Sequence, residues 1–231
     1  MRSAGHRLIA GIDEAGRGAL AGPVAAAAVI LPPLVKAPWR EEIRDSKLLS
    51  PPRREYLYHH IQEISLATGT GMATPDIIDG SGIVVATRHA MEIAVEMLSP
   101  PPDCLLIDYL LLPGVKLPQK GVVGGDRLCF SIACASIIAK VTRDRFMAEM
   151  DERYPGYGLA KHKGYGTRRH KIGLRKQGPC EIHRRGCCVI REAGKMMQHG
   201  HPGGEERAAS SPPRRRRRVR RSREETARKA G

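Results

Sequence analysis

Two adjacent carboxylates, Asp13 and Glu14, end an apolar run and enter a glycine-rich turn at residues 16–18. An unpaired charge in a protein core is costly, so a buried strand does not carry such a pair without a partner. A hard divalent cation such as Mg²⁺, which prefers carboxylate oxygens, would supply that partner. The alternative is an ordinary strand followed by a polar hairpin turn. The pair therefore predicts a strand that delivers its acids either to a cation or to a solvated turn.

The turn itself is Gly16-Arg17-Gly18. Neighbouring residues of a regular strand point to opposite faces, so Asp13 and Glu14 can share a site only if the strand ends or bends there. The glycines on either side of the pair permit this. Glycine also lets the backbone approach a ligand closely, and Arg17 can meet a phosphate or a sugar. We therefore expect ligand contacts in this turn as well as at the acids.

Two further acids stand in a similar setting. Asp108 ends a short apolar run at residues 104–107, and Asp126 follows two glycines and precedes an apolar segment rich in Ala, Ser and Ile. Because strand ends from one edge of a sheet converge, Asp108 can reach Asp13. The alternatives are a plain cap at a strand end for Asp108 and a helix N-terminal acid for Asp126.

The charge of the chain indicates a polyanionic partner. The 231 residues carry a formal net charge of +15, and the pI is about 10. Residues 196–231 hold eleven Lys or Arg and four Glu, so the tail accounts for only part of the excess. A basic body together with a basic tail favours nucleic acid as the partner.

The cysteines and the hydropathy indicate a reducing compartment. None of the six cysteines forms a Cys-x-x-Cys pair or has the Cys/His spacing of a zinc site. The N-terminus has no apolar signal region, and no apolar run approaches the ~18 to 20 residues that span a membrane. We therefore expect a cytoplasmic location.

The periodicity predicts an α/β domain with a mixed sheet. Strands at 8–13 and 24–31, joined by the glycine-rich turn, predict an antiparallel pair. Later strands at 66–72, 104–108 and 122–123 alternate with helices that begin near 50, 83 and 131. Residues 155–195 read as a basic, mostly irregular C-terminal part of a domain covering 1–195. The Arg-rich tail, 196–231, is predicted to be disordered.

Seven blocks, in order, resemble signatures of the ribonuclease HII family: residues 11–24, 44–48, 86–91, 106–108, 125–126, 131–144 and 162–167. Several ordered blocks at family spacing are hard to meet by chance, and the resemblance spans roughly residues 7–190. The sequence departs from the family pattern at residues 80–82 and, after the arginines of the segment 183–188, at residues 186–188. These departures do not touch the four acids or the Gly-Arg-Gly turn.

The resemblance implies a ribonuclease H-like fold, with a mixed central sheet flanked by helices and a small helical or irregular C-terminal part. In the family, positions matching Asp13, Glu14, Asp108 and Asp126 carry the metal chemistry. They would form a two-metal site for Mg²⁺ or Mn²⁺. Two such ions, about 3.5 to 4 Å apart, activate a water and stabilise the leaving oxygen in a phosphodiester displacement.

The resemblance also implies how substrate is read. Gly16, Arg17 and Gly18 match the turn that meets the 2′-hydroxyl of the ribonucleotide at the cut, and Tyr165 matches the tyrosine that packs on that sugar. The 2′-hydroxyl is the group that distinguishes RNA from DNA. Each basic candidate for phosphate contact has the alternative role of a solvated surface charge; the candidates are Lys47, Lys140, Lys163 and Arg168. Asp144 is expected to form ion pairs on a helix surface instead of acting in catalysis.

These observations predict a metal-dependent endoribonuclease that cuts the RNA strand of RNA/DNA hybrids and also cuts at single ribonucleotides embedded in duplex DNA. The products would carry 5′-phosphate and 3′-hydroxyl ends. We expect it to act as a monomer without a membrane partner. One alternative is a basic nucleic-acid-binding protein without catalysis, although four carboxylates would repel the phosphates that it binds. The other is a related ribonuclease with a stricter need for RNA tracts.

Overall fold

The structure is a computed structural model that describes residues 5–45 and 49–198. Two predictions fall outside these residues: the phosphate contact of Lys47 and the disorder of the Arg-rich tail from residue 199 onward. The C-terminal helix runs to Gln198, which is beyond the boundary at 195 drawn from composition. In the described part of the chain, no helix is long and apolar enough to cross a bilayer.

A mixed sheet of five strands forms the centre of the described residues, as the sequence predicted. The strand order is β3-β2-β1-β4-β5. Strands β1, β2 and β3 pair antiparallel, whereas β4 runs parallel to β1 and β5 runs parallel to β4. The strands are β1 (Ile9–Ala15), β2 (Val24–Ile30), β3 (Ala67–Ala73), β4 (Cys104–Asp108) and β5 (Gln119–Val122).

Helices cover both faces of this sheet. One face packs on α3, and the other packs on α1, α5 and a 3₁₀ helix at Pro38–Asp45. This two-sided burial explains why β2 is buried along its whole length. The helices are α1 (Pro51–Ile64), α2 (Pro75–Ser81), α3 (Ile83–Glu96), α4 (Gly125–Leu128), α5 (Phe130–Arg153), α6 (Leu159–His162), α7 (Arg168–Gln177) and α8 (Cys188–Gln198).

Close approach of α5 to β1 depends on Gly11. A Cβ at this position would lie 2.3 Å from the carbonyl carbon of Ser131 and 2.5 Å from the backbone nitrogen of Ile132. Any side chain here would therefore push the start of α5 away from the sheet. The contact places the first turns of α5 beside the strand that carries Asp13 and Glu14.

The C-terminal part is more regular than the sequence predicted. Residues 155–195 were expected to be mostly irregular, but α6, α7 and most of α8 lie within them. Their few apolar side chains form a separate small core against the end of α5. Basic residues dominate this stretch, so the sparse buried positions, Tyr157, Leu159, Leu174 and Ile190 among them, gave a weak periodic signal.

Candidate active site

A pocket of about 360 Å³ opens where β1 and β4 end beside α5. Three of the four predicted acids line it, together with the whole Gly16-Arg17-Gly18 turn and Tyr165. The strand order explains the convergence, since β1 and β4 are parallel neighbours that end at the same edge. The remaining lining residues are Ala15, Arg54, Ser136 and Lys140.

Asp13 and Glu14 lie within β1 and not in the turn after it, which differs from the sequence expectation. They pair with Ala27 and Ala26 of β2, and the turn begins only after Ala15. Asp13 is 5% exposed and Glu14 is half-buried, yet both face the pocket. The last residues of the strand therefore hold both carboxylates at one site.

Burial makes ionisation of this pair unfavourable. Desolvation raises the pKa of Asp13 well above its usual range, and the nearby Glu14 and Asp108 carboxylates raise it further. A hydrogen bond from Ser136 opposes this shift. Desolvation also raises the pKa of Glu14, although Arg17 Nη1 lies 3.2 Å from Glu14 Oε1 and favours the charged form. Additional positive charge nearby would favour the ionised form of both carboxylates.

Asp108 is held by the backbone that carries Asp126. The Gly125 N–H donates to Asp108 Oδ1 over 2.8 Å. Asp126 is the next residue, in the short helix α4, where its side chain is buried. Asp126 does not line the pocket. The structure thus brings three predicted acids to one pocket, and the fourth follows the residue whose N–H binds Asp108.

The donor set fits a hard divalent cation. Three carboxylates supply the oxygen ligands that Mg²⁺ and Mn²⁺ prefer. Glu14 Oε2 is buried and has no hydrogen-bond partner, so one carboxylate oxygen is left for a further contact. Within residues 5–45 and 49–198, no three acidic, histidine or cysteine side chains lie close enough together to form a metal cage. The carboxylates therefore share a pocket without forming a closed ligand shell.

Positive side chains also line the pocket. Lys140 lines it and donates to Asp144 Oδ1 over 2.5 Å, as expected for residues four apart on a helix. Arg54, which sequence reasoning did not single out, also lines the pocket, and its Nη2 lies 3.8 Å from Asp144 Oδ2. Asp144 itself does not line the pocket. Its carboxylate instead pairs with Lys140 and Arg54, which both line the pocket.

Two predicted phosphate contacts lie away from the pocket. Arg168 is exposed in the first turn of α7, and Lys163 donates from Nζ to the Asp144 carbonyl over 3.0 Å. Neither residue lines the pocket. If they meet substrate, they do so outside the site that holds the acids.

Sequence reasoning missed the residues that support this pocket. Ser136 lies inside the block at 131–144 with no local signal of its own, and Arg54 follows another arginine in the first turn of α1. Arg143 and Arg184 received no role, although both are buried under the turn and hydrogen-bond to its backbone or to adjoining backbone. Arg143 stands among the charged residues Lys140, Asp144 and Arg145 of α5, so nothing in the local sequence marks it as buried.

Comparison with known proteins agrees with this geometry. The sequence profile described as Ribonuclease HII matches residues 10–189. A ribonuclease HII of Dehalococcoides mccartyi is 59% identical over 185 residues, which cover 80% of this chain and 87% of that protein. This chain belongs to the ribonuclease HII family. The enzyme is therefore a type 2 ribonuclease H, an endonuclease.

Further relatives support the assignment and the fold. The ribonuclease HII of Pelobacter propionicus is 54% identical over 188 residues, covering 81% of this chain and 84% of that protein. The crystal structure of ribonuclease H2 from Pyrococcus horikoshii OT3 superposes with a TM-score of 0.68 at 24% identity, covering 83% of this chain and 99% of that one. This likeness shows that the enzyme has the ribonuclease H-like fold expected from the sequence.

The two stretches that depart from the family pattern lie against each other. The Asp79 carboxylate, just before residues 80–82, accepts from the backbone N–H groups of Arg185 and Gly186 over 2.6 and 2.9 Å. Gly82 then adopts a positive φ of 82° between α2 and α3. Asp79, directly before one departure, thus contacts Gly186, the first residue of the other, and neither residue lines the pocket.

Proposed function

We propose that the enzyme is a metal-dependent ribonuclease that hydrolyses the RNA strand of RNA/DNA hybrids and cuts at single ribonucleotides in duplex DNA, leaving 5′-phosphate and 3′-hydroxyl ends. One observation carries the proposal: Asp13, Glu14 and Asp108 share a pocket with the Gly16–Gly18 turn and Tyr165. The acids suited to hydrolysis and the groups suited to binding a ribose therefore lie in the same site.

The acids would hold Mg²⁺ or Mn²⁺. Asp13, Glu14 and Asp108 face the pocket directly, and Asp126 is the fourth ligand that the family resemblance implies. Bound metal would supply an activated water and would stabilise the leaving oxygen. The raised pKa values of Asp13 and Glu14 support this assignment, because a nearby cation favours the ionised form of both carboxylates.

The turn and the tyrosine would read the sugar. Gly18 has open space where a side chain would be, so a ribose can approach its backbone. Tyr165 is 37% exposed at the pocket and can present its ring to the sugar. Lys140 is a lining cation placed to meet a phosphate. Lys163 and Arg168 would be outer contacts, and Lys47 is a further phosphate contact that we propose.

We extend the proposal to the organisation of the whole chain. Residues 1–195 would be the catalytic domain of a monomer, with 155–195 contributing to substrate binding through Tyr165. The Arg-rich tail would bind nucleic acid through charge alone. The cytoplasm is the compartment that we propose, because the cysteine spacing matches neither a disulfide framework nor a zinc site.

A cleavage assay tests the proposal. The substrates are duplex DNA with one ribonucleotide, a full RNA/DNA hybrid and all-DNA duplex, each with and without Mg²⁺ or Mn²⁺. We expect cutting of the first two only when metal is present, and loss of cutting without loss of hybrid binding in Asp13→Asn. The matched control, Asp76→Asn, removes an exposed acid of α2 outside the pocket and should cut normally.

The outcomes separate the alternatives. Near-normal turnover in folded Asp13→Asn would contradict the metal assignment. Metal-dependent cutting of the hybrid but not of the single-ribonucleotide duplex would favour a ribonuclease that needs RNA tracts. Tight binding without any cutting would favour a basic binding protein.

A further inference from the structure

Two buried arginines lie beneath the turn that we propose reads the ribose. Arg143, from α5, is fully buried, and Arg184, from the segment between α7 and α8, is 4% exposed. Each guanidinium donates three hydrogen bonds to backbone carbonyls. Arg143 binds the carbonyls of Pro23, Lys163 and Ala21 at 2.8, 2.9 and 3.1 Å, and Arg184 binds those of Gly16, Arg17 and Gly22 at 2.7, 2.7 and 3.0 Å.

Gly16 lies between the two arginines. Its φ is +94°, a conformation that side chains rarely adopt, and a Cβ there would lie 2.0 Å from Arg143 Nε. Arg184 Nη2 holds its carbonyl from the other side. The conformation of the turn is therefore set by Arg143 and Arg184 as well as by its own glycines.

Arg143 also links the turn to Tyr165. The guanidinium carbon of Arg143 lies 5.5 Å from the centre of the Tyr165 ring, within cation–π range. Arg143 also holds the carbonyl of Lys163, two residues before the tyrosine. The Gly164 carbonyl in turn accepts from the Leu20 N–H over 2.9 Å. One buried network thus fixes both elements of the proposed ribose site relative to each other.

Neutral carbonyl oxygens receive all six of these bonds, and this is a costly way to bury two neighbouring cations. Burial lowers the pKa of both arginines, that of Arg184 to about 10 with a further contribution from Arg143. A guanidinium keeps its proton in proteins, so both side chains are buried as cations. A planar guanidinium can direct three N–H groups toward carbonyls that lie in different directions. A lysine ammonium presents its donors from a single point and cannot span them.

We propose that Arg143 and Arg184 are positioning residues that fix the Gly16–Gly18 turn and Tyr165 in the geometry needed to recognise a lone ribonucleotide. This inference rests on the proposed function. Neither guanidinium lines the pocket, so each acts through the backbone and the ring that it holds. A lone ribonucleotide offers only one 2′-hydroxyl, whereas a hybrid offers one at every RNA position and so tolerates a displaced turn better.

The test compares Arg184→Lys and Arg143→Lys with the parent enzyme on the single-ribonucleotide duplex and on the full hybrid. The readout is the ratio of kcat/KM for the two substrates, because a loss of folded enzyme lowers both values and cancels. We expect this ratio to fall about tenfold or more, since small misplacement of a binding group costs up to about 100-fold in rate. Arg185→Lys is the matched control, because Arg185 is adjacent but exposed, and its ratio should not change.

Each outcome decides the matter. An unchanged ratio in folded Arg184→Lys and Arg143→Lys would overturn the proposal, and so would loss of the fold in both variants, which would make the arginines fold determinants only. A parent enzyme that cuts the hybrid but not the single-ribonucleotide duplex would instead be a failure of the proposed function. A fall in the ratio that Arg185→Lys does not share would support the positioning role.

Discussion

Acidification should destabilise the fold through a pair of buried histidines, His170 and His183. Their Nε2 atoms lie 3.0 Å apart. The Cys180 N–H donates to His183 Nδ1 over 3.0 Å, and His170 Nδ1 lies 3.0 Å from the Tyr165 carbonyl, to which it must donate. One arrangement of neutral rings satisfies these three contacts: His183 Nε2–H donates to His170 Nε2. If His170 Nε2 also bound a proton, two N–H groups would face each other across this contact and neither nitrogen could accept a hydrogen bond.

The size of the effect follows from His183. Burial lowers its pKa from 6.5 to about 4, and the neighbouring His170 and His162 rings add to the shift. Burial also lowers the pKa of His170. Between pH 6.5 and about pH 4, His183 is protonated in the unfolded chain but stays neutral in the folded chain. The stability is therefore fully present above pH 6.5 and is lost as the pH falls toward 4. For His183 alone this amounts to roughly 3 kcal/mol.

Urea unfolding of the parent and of His183→Gln, followed from pH 7.5 to pH 4.5, measures this contribution. Asp13 and Glu14, whose pKa values are raised, act in the opposite sense, so the difference between the two proteins is the informative quantity. We expect the parent to lose roughly 2 to 3 kcal/mol more than His183→Gln over this range. His59→Gln, at an exposed histidine of α1, should follow the parent. Parallel stability curves for the parent and His183→Gln, or an NMR titration of the folded His183 ring near pH 6.5, would refute the reasoning.

Three further predictions concern other parts of the chain. Gly11→Ala should lower the free energy of unfolding by about 1 to 3 kcal/mol, because the added Cβ would overlap the Ser131 backbone. Urea unfolding measures this change. Gly80→Ala is the control, because a Cβ there meets nothing within 4 Å. Tyr165→Ala should slow cleavage at a single ribonucleotide without lowering the melting temperature, and equal cleavage rates would show that Tyr165 is an ordinary loop residue. Deletion of residues 199–231 should leave cleavage intact but give a shallower dependence of nucleic-acid affinity on salt, since log K falls by roughly 0.9 per phosphate contact per decade of salt on duplex DNA; equal salt slopes would mean that the tail makes no such contacts.

The sequence alone determined the elements whose signals are local. The strands β1, β2 and β4 and the helices α3 and α5 lie within a few residues of their predicted bounds, because unbroken apolar runs and helical spacing are visible along the chain. Convergence of Asp13 and Asp108 was also predictable, since both end apolar strands that the fold class places side by side. The exact position of Asp13 and Glu14 inside β1 could not be predicted, because pairing with β2 extends the strand past these two carboxylates.

The tertiary structure decided what holds the site together. In sequence, Arg143 and Arg184 resemble ordinary charged residues, yet the carbonyls that they bind include Ala21 and Gly16, 122 and 168 positions away. The facing rings of His170 and His183 likewise follow from packing of the C-terminal part against α5. Local patterns report which backbone conformation a segment prefers. They carry no record of which distant carbonyl will receive a buried N–H, because that choice depends on the three-dimensional path of the whole chain.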